Sequence, residues 1–537
     1  MNKIVVNPGA DEAKTADAIA DNGERYPSYA AMRELRSFKG TGANVTFVHP
    51  GHIDANDTDI QLHGELSNAS SSQPPQGLCL LAAIVRDFGY TPSVVDAEPF
   101  DLDVVETARL VMNNSPRYVG LTSYTPTIVI ANQLALEIKR LAEEKGEEVT
   151  IIIGGPHVTF RSEDALNKFQ GFDIGVFGEG EITIVELLDA LEQGEPLDDI
   201  PNLVFRRGED VIRTKRRSSL MDMDELPLPA WDMLPTLKKN YHPAGDNMNR
   251  LPGACITTSR GCPAKCYFCN PRSLGSGFRG NSAEYIVRMF EQLHFEYGIR
   301  DIFMSDDMFT FDRDNVLRFC ELLKQSKADV TWSCFCRVDY VDEEMLAAMK
   351  SAGCWQIGFG LESGSEDVLM NINKNQSIEL MEHAIRITHE AGIGVRGMFM
   401  VGGFGETAET IEQTLAFIKR NPIHYFHISF FTPYPGTPAF KLAPRYGQFL
   451  ESAGNESDLT SHDPSFVPHG LTVEEMIAAQ KLMYRTLIKP IVLWNYLLKM
   501  RDPLVAKRII KGALAFFKYV LKPAKNKKYE VVEVVDH

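Results

Sequence analysis

The 537-residue sequence predicts an α/β protein made of two parallel-sheet units in tandem, followed by a helical, basic extension. Three observations carry this. From Asn44 to Gly180, short apolar runs alternate with longer amphipathic stretches, which is the pattern of a doubly wound parallel sheet. From Cys255 to Phe431 the alternation returns as six strand–helix units, too few to close an eight-stranded barrel. Beyond Ser461 it stops, and lysines interleave with large apolar residues instead.

In order along the chain, residues 1–41 form an N-terminal arm: 3–7 can be a strand, 10–20 is small, polar and helix-prone, and 26–38 is a short amphipathic helix. The first sheet unit spans 42–205. Val45-Thr46-Phe47-Val48 is β-branched and aromatic and ends at Pro50-Gly51, as a buried strand stopped by a turn does. Helices over 78–88, 102–112 and 127–144 separate strands over 92–96, 118–123, 149–155 and 174–177. Such sheets bind ligands at the carboxyl ends of their strands. Gly154-Gly155-Pro156-His157 and Gly178-Glu179-Gly180-Glu181 fall there, where backbone must pass close to a ligand. The linker, 206–249, holds the end of an arginine-rich hairpin over 202–223 and the proline-punctuated run 224–231. The second unit, 250–460, has strands at 255–258, 301–307, 330–334, 355–363, 394–403 and 424–431. Helices over 285–297, 315–325, 343–352, 377–391 and 407–419 connect them.

The chemistry centres on Ser259-Arg260-Gly261-Cys262-Pro263-Ala264-Lys265-Cys266-Tyr267-Phe268-Cys269, where three cysteines stand at C-x3-C-x2-C spacing. Four ligands would close a structural zinc or ferredoxin-type site. Three suit a 4Fe–4S cluster with one iron left open; a zinc knuckle lacking a ligand and three buried thiols are the plainer readings. The motif resembles the radical SAM superfamily, with Phe268 in the aromatic slot of its signature. That resemblance implies a partial (β/α)6 TIM-like barrel and a cluster on Cys262, Cys266 and Cys269, whose open iron takes S-adenosylmethionine (SAM). By the same resemblance Phe268, Asp306, Asp307, Glu362, Ser363, Gly402 and Gly403, at or near strand ends, are SAM-binding. Arg337 and Arg396 are read as substrate contacts or as structural ion pairs.

The first unit resembles the Rossmann/flavodoxin-like cobalamin-binding domain that precedes the barrel in many of these enzymes. The matching pieces imply a cobalamin site at Gly77, Thr122, Ser123, Gly154, Gly155, His157, Gly178, Glu179 and Gly180. The loop after the first strand, His49-Pro50-Gly51-His52-Ile53-Asp54, lacks the Asp-x-His-x-x-Gly motif of proteins that ligate cobalt with histidine. The expectation is a cobalt without a histidine ligand, with His49 and His52 as loop residues.

Composition excludes other classes. A net charge of −17 argues against a general nucleic-acid partner, and the first unit lacks the additional cluster cysteines of tRNA methylthiotransferases. Nine cysteines, with no secretory leader, read as reduced thiols and a metal site in a cytoplasmic protein. The 461–537 extension is basic: over 481–528, thirteen Lys or Arg face the single Asp502, a composition that suits a helix on an anionic membrane or one packed on the barrel. Together these features imply a cobalamin-dependent radical SAM C-methyltransferase acting on a small molecule or lipid. It would use 4Fe–4S, SAM and cobalamin, with flavodoxin or ferredoxin as electron donor. A ring-forming or ring-rearranging enzyme, resembling the anaerobic Mg-protoporphyrin monomethyl ester cyclase and hopanoid-modifying relatives, is the alternative, and a non-catalytic carrier the third reading.

Overall fold

The computed structural model describes residues 3–6, 29, 32, 40–51, 73–217, 221–241, 248–269, 277–454, 459–486, 488–490, 492–493, 497, 506, 510 and 530–536. His52, the predicted helix over 10–20 and most of the basic run 481–528 lie outside them.

Seven strands make the first sheet, in the order Thr91–Asp96, Asn44–His49, Tyr118–Thr122, Thr150–Gly154, Ile174–Val176, Leu203–Arg207 and Asp210–Arg213. The first five are parallel. Their chain order across the sheet is second, first, third, fourth, fifth, which puts the switch of winding direction between Asn44–His49 and Tyr118–Thr122. In open α/β sheets that crevice is where ligands bind. The arginine-rich hairpin adds the last two strands antiparallel, so the sheet continues past 205 to Arg213. Val45, Phe47 and Val48 are fully buried, as a central strand covered on both faces requires.

The second sheet has six parallel strands in sequential order: Gly253–Ile256, Asp301–Met304, Thr331–Cys336, Cys354–Glu362, Gly394–Val401 and Tyr425–Phe430. First and last do not pair, so it is a partial barrel. Its helices begin at side-chain caps: Ser282, Asp312, Asp342, Ser377 and Thr407 each accept from the backbone N–H three residues on. These caps fix where each strand-end loop finishes. Trp332 packs edge-on against Phe309 and Phe319, so alternate residues of its strand face the helices. Phe335, in the opposite phase, meets Phe303 and the Arg396 guanidinium on the inner face.

The two sheets share one hydrophobic core. Gln76 crosses between them, accepting from Thr257 N at 2.6 Å and donating to Thr257 O at 2.8 Å. A separate four-stranded sheet ties the two ends of the described chain together: Lys3–Val6 pairs with Val531–Asp536, which pairs with Gly447–Leu450, beside Phe466–Pro468. The extension is thus helical only in part. Its helix Val473–Thr486 packs on the barrel, with Gln480 Nε2 donating to Ile428 O at 3.0 Å, and the described tail ends in a strand. Among the described residues, no helix is long and apolar enough to cross a membrane.

Candidate functional site

The cysteine loop leaves the strand Gly253–Ile256 and is framed by a two-stranded ribbon, Ser259–Arg260 against Arg279–Gly280. Buried Asp306 holds its root. The carboxylate accepts from Thr258 N (2.7 Å), Thr258 Oγ1 (3.0 Å), Ser259 Oγ (2.7 Å) and Ser259 N. Burial lifts this carboxyl to about 6 despite those donors. Its oxygens are thus engaged with the root of the cysteine loop, while Asp307 next to it lines the cavity. The loop is fixed further by Tyr267 N donating to Ile372 O (3.0 Å) and Ala439 N donating to Tyr267 O (2.8 Å).

Cys266 is buried, Cys262 half-buried and Cys269 exposed toward the cavity that it lines. Burial raises the Cys262 thiol, so loading a metal there must expel protons. Positive charge stands ready for the resulting thiolates. Arg337 Nη1 donates to Cys266 Sγ at 3.7 Å, while its Nε and Nη2 hold Asp339, each at 3.0 Å. Arg337 thus bridges the cysteine loop and Asp339. Lys374 Nζ lies 5.8 Å from the Phe268 ring centre and 2.8 Å from Glu362 Oε1. Glu362 ends its strand at φ 61°, beyond a register shift after Gly360. A left-handed non-glycine residue costs about 1–3 kcal/mol, and such strain concentrates at functional sites.

The other expected SAM residues have the following surroundings. Ser363 Oγ bonds Thr414 Oγ1 at 3.1 Å and accepts from Ser365 N at 3.2 Å. Gly402 makes room for Met476, since a Cβ there would stand 2.4 Å from Met476 Cε, and Gly403 faces Val368. Burial pushes Glu406, which accepts from Gly402 N, up to about 7.

Between the sheets lies a cavity of about 1070 Å³. That is at the top of the range for small-molecule sites, roughly 300–1,000 Å³, and so suits a large cofactor. One wall is the carboxyl edge of the first sheet: Phe47, His49, Gly77, Gly120, Thr122, Gly154, Gly155, Gly178 and Gly180. The other is the barrel: Cys255, Thr257, Phe268, Cys269, Ser305 and Asp307, with Tyr434 above. Gly155 has φ +97°, and a Cβ would lie 2.6 Å from Ser123 O, so no other residue fits without rearrangement. This glycine cradle at the switch point fits a bulky planar macrocycle, and the three thiols opposite fit a metal cluster with an open position.

Three of the expected cradle residues turn away from the cavity. Ser123 is buried, its Oγ donating to Gly154 O at 3.3 Å, and buried His157 bonds Thr125 Oγ1 at 3.3 Å. Glu179 pairs with Arg260 at 3.0 Å and with Arg279; Glu181 pairs with Arg260 at 2.5 Å. The Gly-Glu-Gly-Glu loop is thus an ionic clamp onto the cysteine ribbon. Sequence reading assigned no role to Lys374, Gln76, Arg260 or Glu181, although Glu181 lies in the glycine loop, Gln76 beside Gly77 and Arg260 two residues before Cys262. It also took His49 for a loop residue. His49 is the last residue of its strand, with Nδ1 3.0 Å from Asp96 Oδ1 and 3.7 Å from Glu98 Oε2. Burial disfavours the imidazolium, but Asp96 and Glu98 outweigh it and raise the His49 pKa; burial lifts Glu98 to about 7.

Comparison with known proteins gives two family matches, the Radical SAM superfamily over residues 256–418 and the B12 binding domain over 65–188. An uncharacterized methyltransferase of Pyrococcus horikoshii is 32% identical over 446 residues, covering 83% of this chain and 94% of that protein. The anaerobic magnesium-protoporphyrin IX monomethyl ester cyclase of Cereibacter sphaeroides is 27% identical over 484 residues, covering 88% and 74%. The fold matches the radical S-adenosylmethionine methyltransferase TsrM from Kitasatospora setae, solved with cobalamin and a [4Fe-4S] cluster. Its TM-score is 0.64 at 18% identity, over 84% of this chain and 91% of that one.

Proposed function

The chain belongs to the radical SAM superfamily, in the group whose barrel follows a B12-binding domain, and we propose that it methylates an unactivated carbon of a small-molecule or lipid substrate. It is an enzyme that uses a 4Fe–4S cluster, SAM and cobalamin. One observation carries the proposal: the glycine-lined sheet edge and Cys269 with Phe268 face the same cavity, with no wall between the two cofactor positions. Bound there, the cluster and SAM supply a radical able to take hydrogen from an unactivated C–H, and the corrin supplies a transferable methyl group.

The chain's own residues hold, orient and seal. Cys262, Cys266 and Cys269 hold the cluster, and Arg337 and Lys374 offset its negative charge. Asp306 fixes the root of the loop that would hold the cluster beside the cavity. Asp307 and Phe268, which line the cavity, are the groups best placed to receive SAM, with Glu362 behind them paired to Lys374. The backbone of Gly77, Gly154, Gly155, Gly178 and Gly180 receives the corrin. Arg396, on the inner face against Phe335, is the candidate anchor for an anionic group of the substrate. A one-electron donor, flavodoxin or ferredoxin, restores the reduced cluster.

The test is anaerobic incubation of the reconstituted protein with methyl-labelled SAM and a small-molecule extract, followed by mass spectrometry. Methylation adds one labelled methyl to a product and yields S-adenosylhomocysteine together with 5′-deoxyadenosine. The relationship to the Cereibacter cyclase favours a second reading, oxidative ring closure. It predicts 5′-deoxyadenosine without S-adenosylhomocysteine and no labelled product.

A further inference from the structure

We propose that the outer face of the cysteine loop, with Met370 at its centre and Lys265, Lys441 and Arg445 around it, is the docking surface for an acidic flavodoxin that reduces the cluster. The inference rests on the radical SAM reading of this loop. Access comes first. The inner side of the loop, with Phe268 and Cys269, lines the cavity, and a space of about 1070 Å³ admits no second protein. Pro263 and Lys265, between the first two cysteines, are exposed and lie outside that lining. Lys265 is the chain neighbour of buried Cys266. Electron transfer weakens steeply with distance, so a protein donor belongs on this outer side.

Charge comes second. The chain has 72 acidic residues and a net charge of −17, which repels an acidic partner over most of its surface. Two runs, 261–283 and 413–450, contain no Asp or Glu. They meet at the loop, where Ala439 N, at the start of the helix Pro438–Tyr446, donates to Tyr267 O at 2.8 Å. Lys441 and Arg445 are exposed on that helix, open like Lys265 to the carboxylates of a partner. Complementary charge of this kind raises the rate of encounter more than the strength of the complex.

The third observation is apolar. Met370 is 67% exposed, the highest value for a large apolar side chain among the described residues. It stands one residue before the end of the helix Glu366–Asn371, whose acidic residues, Glu366 and Asp367, lie at the other end. The turn that follows is pinned to the cysteine loop: Tyr267 N donates to Ile372 O at 3.0 Å, and Asn373 Nδ2 donates to Lys265 O at 2.5 Å. A thioether packs favourably against the edge of an aromatic ring, which a flavodoxin offers in its flavin and a ferredoxin cluster does not. An apolar centre with a charged rim suits the small, transient interfaces of electron transfer, below about 1,200 Å². The step moves one electron and no proton: the electron leaves the anionic flavin hydroquinone, which becomes the neutral flavin radical, and enters the oxidised cluster.

The test uses the full-length protein with its cluster reconstituted without oxygen, and follows reduction by stopped-flow absorbance and electron paramagnetic resonance. Two reductants are compared: flavodoxin hydroquinone, and dithionite, which is small enough to need no docking. At low salt, Lys441→Glu/Arg445→Glu is expected to slow flavodoxin about tenfold or more through lost steering, and the gap closes as salt rises. Met370→Gln is expected to slow it about threefold at every salt concentration. Iron content and the dithionite rate stay at wild-type values in both variants. Unchanged flavodoxin rates, or an equal slowing with dithionite, would overturn the docking assignment, and slowing of a ferredoxin alone would overturn the choice of partner. A wild-type protein that takes up no iron and is not reduced by dithionite overturns the radical SAM reading and the docking surface together.

Discussion

The two sheets turn their carboxyl ends toward one cavity, yet they build its walls by opposite means. The first sheet makes its wall largely of backbone: Gly154, Gly155, Gly178 and Gly180 present peptide planes with no side chains in the way. The barrel makes its wall of reactive and charged side chains, Cys269 and Asp307, backed by Arg337, Lys374 and Asp306. A large, mostly neutral macrocycle needs area and clearance; an anionic cluster needs ligands and compensating charge. The comparison teaches that the two walls should fail in different ways: the first by addition of atoms, the second by removal.

The largest expected effect is all-or-none. Cys266→Ala should abolish iron incorporation, measured by metal analysis, and SAM cleavage, measured as 5′-deoxyadenosine, while cobalamin binding persists. SAM cleavage by the mutant would break the assignment of this wall.

That prediction rests on what the sequence made legible, and the contrast between the walls explains the rest. Cysteine spacing and the glycine loops are local patterns, so the cluster ligands and the cradle could be read directly. Strand alternation located the six barrel strands for the same reason. Partnerships could not be read. Asp306 reads with Asp307 as an acidic pair at a strand end, and its donors, Thr258 and Ser259, lie nearly fifty residues away. Glu179 lies in a glycine loop that faces the cofactor, yet Arg260 and Arg279 draw it outward. His49 sat in an apparent loop until Asp96 showed that its strand extends to it. The C-terminal strand was hidden because it is completed by Gly447–Leu450 and by the far N-terminus.

Next in size is addition on the first wall. Gly155→Val places a branched side chain at φ +97°, 2.6 Å from Ser123 O. Local strain of about 1–3 kcal/mol is expected, with cobalamin retention falling at least about tenfold. Iron content should be unchanged, and equal loss of both cofactors would blur the distinction drawn above. Visible absorbance after gel filtration and metal analysis read the two.

A milder removal sharpens the account of the barrel wall. Arg337→Gln takes a charge-assisted hydrogen bond from Cys266 and leaves Asp339 uncompensated beside the cluster. Bonds of that kind contribute about 1.5–3 kcal/mol. The reduced cluster is the more negative state, so its population at fixed poise should fall about tenfold or more, measured in a redox titration. An unchanged titration would make Arg337 a structural ion pair alone.

The smallest effect concerns pH. Burial lifts Glu406 to about 7, above the ordinary carboxyl, so the folded state binds its proton more tightly than the unfolded chain does. The associated stability is fully present below the unfolded value and is lost as pH rises through about 7. Glu406→Gln lacks that titration while keeping an acceptor for Gly402 N. It should gain on the wild type between pH 5.5 and 8.5 in urea midpoints; a constant difference would contradict the buried titration.

One measurement tests most directly whether the two walls serve a single site. In full-length protein carrying both cofactors, Co(II) and the reduced 4Fe–4S cluster are each paramagnetic. The account predicts that their signals are mutually broadened or split, and that each simplifies when the other cofactor is omitted or when Cys266→Ala removes the cluster. Two unperturbed signals in the fully loaded protein would place the cofactors in separate sites and contradict the shared cavity.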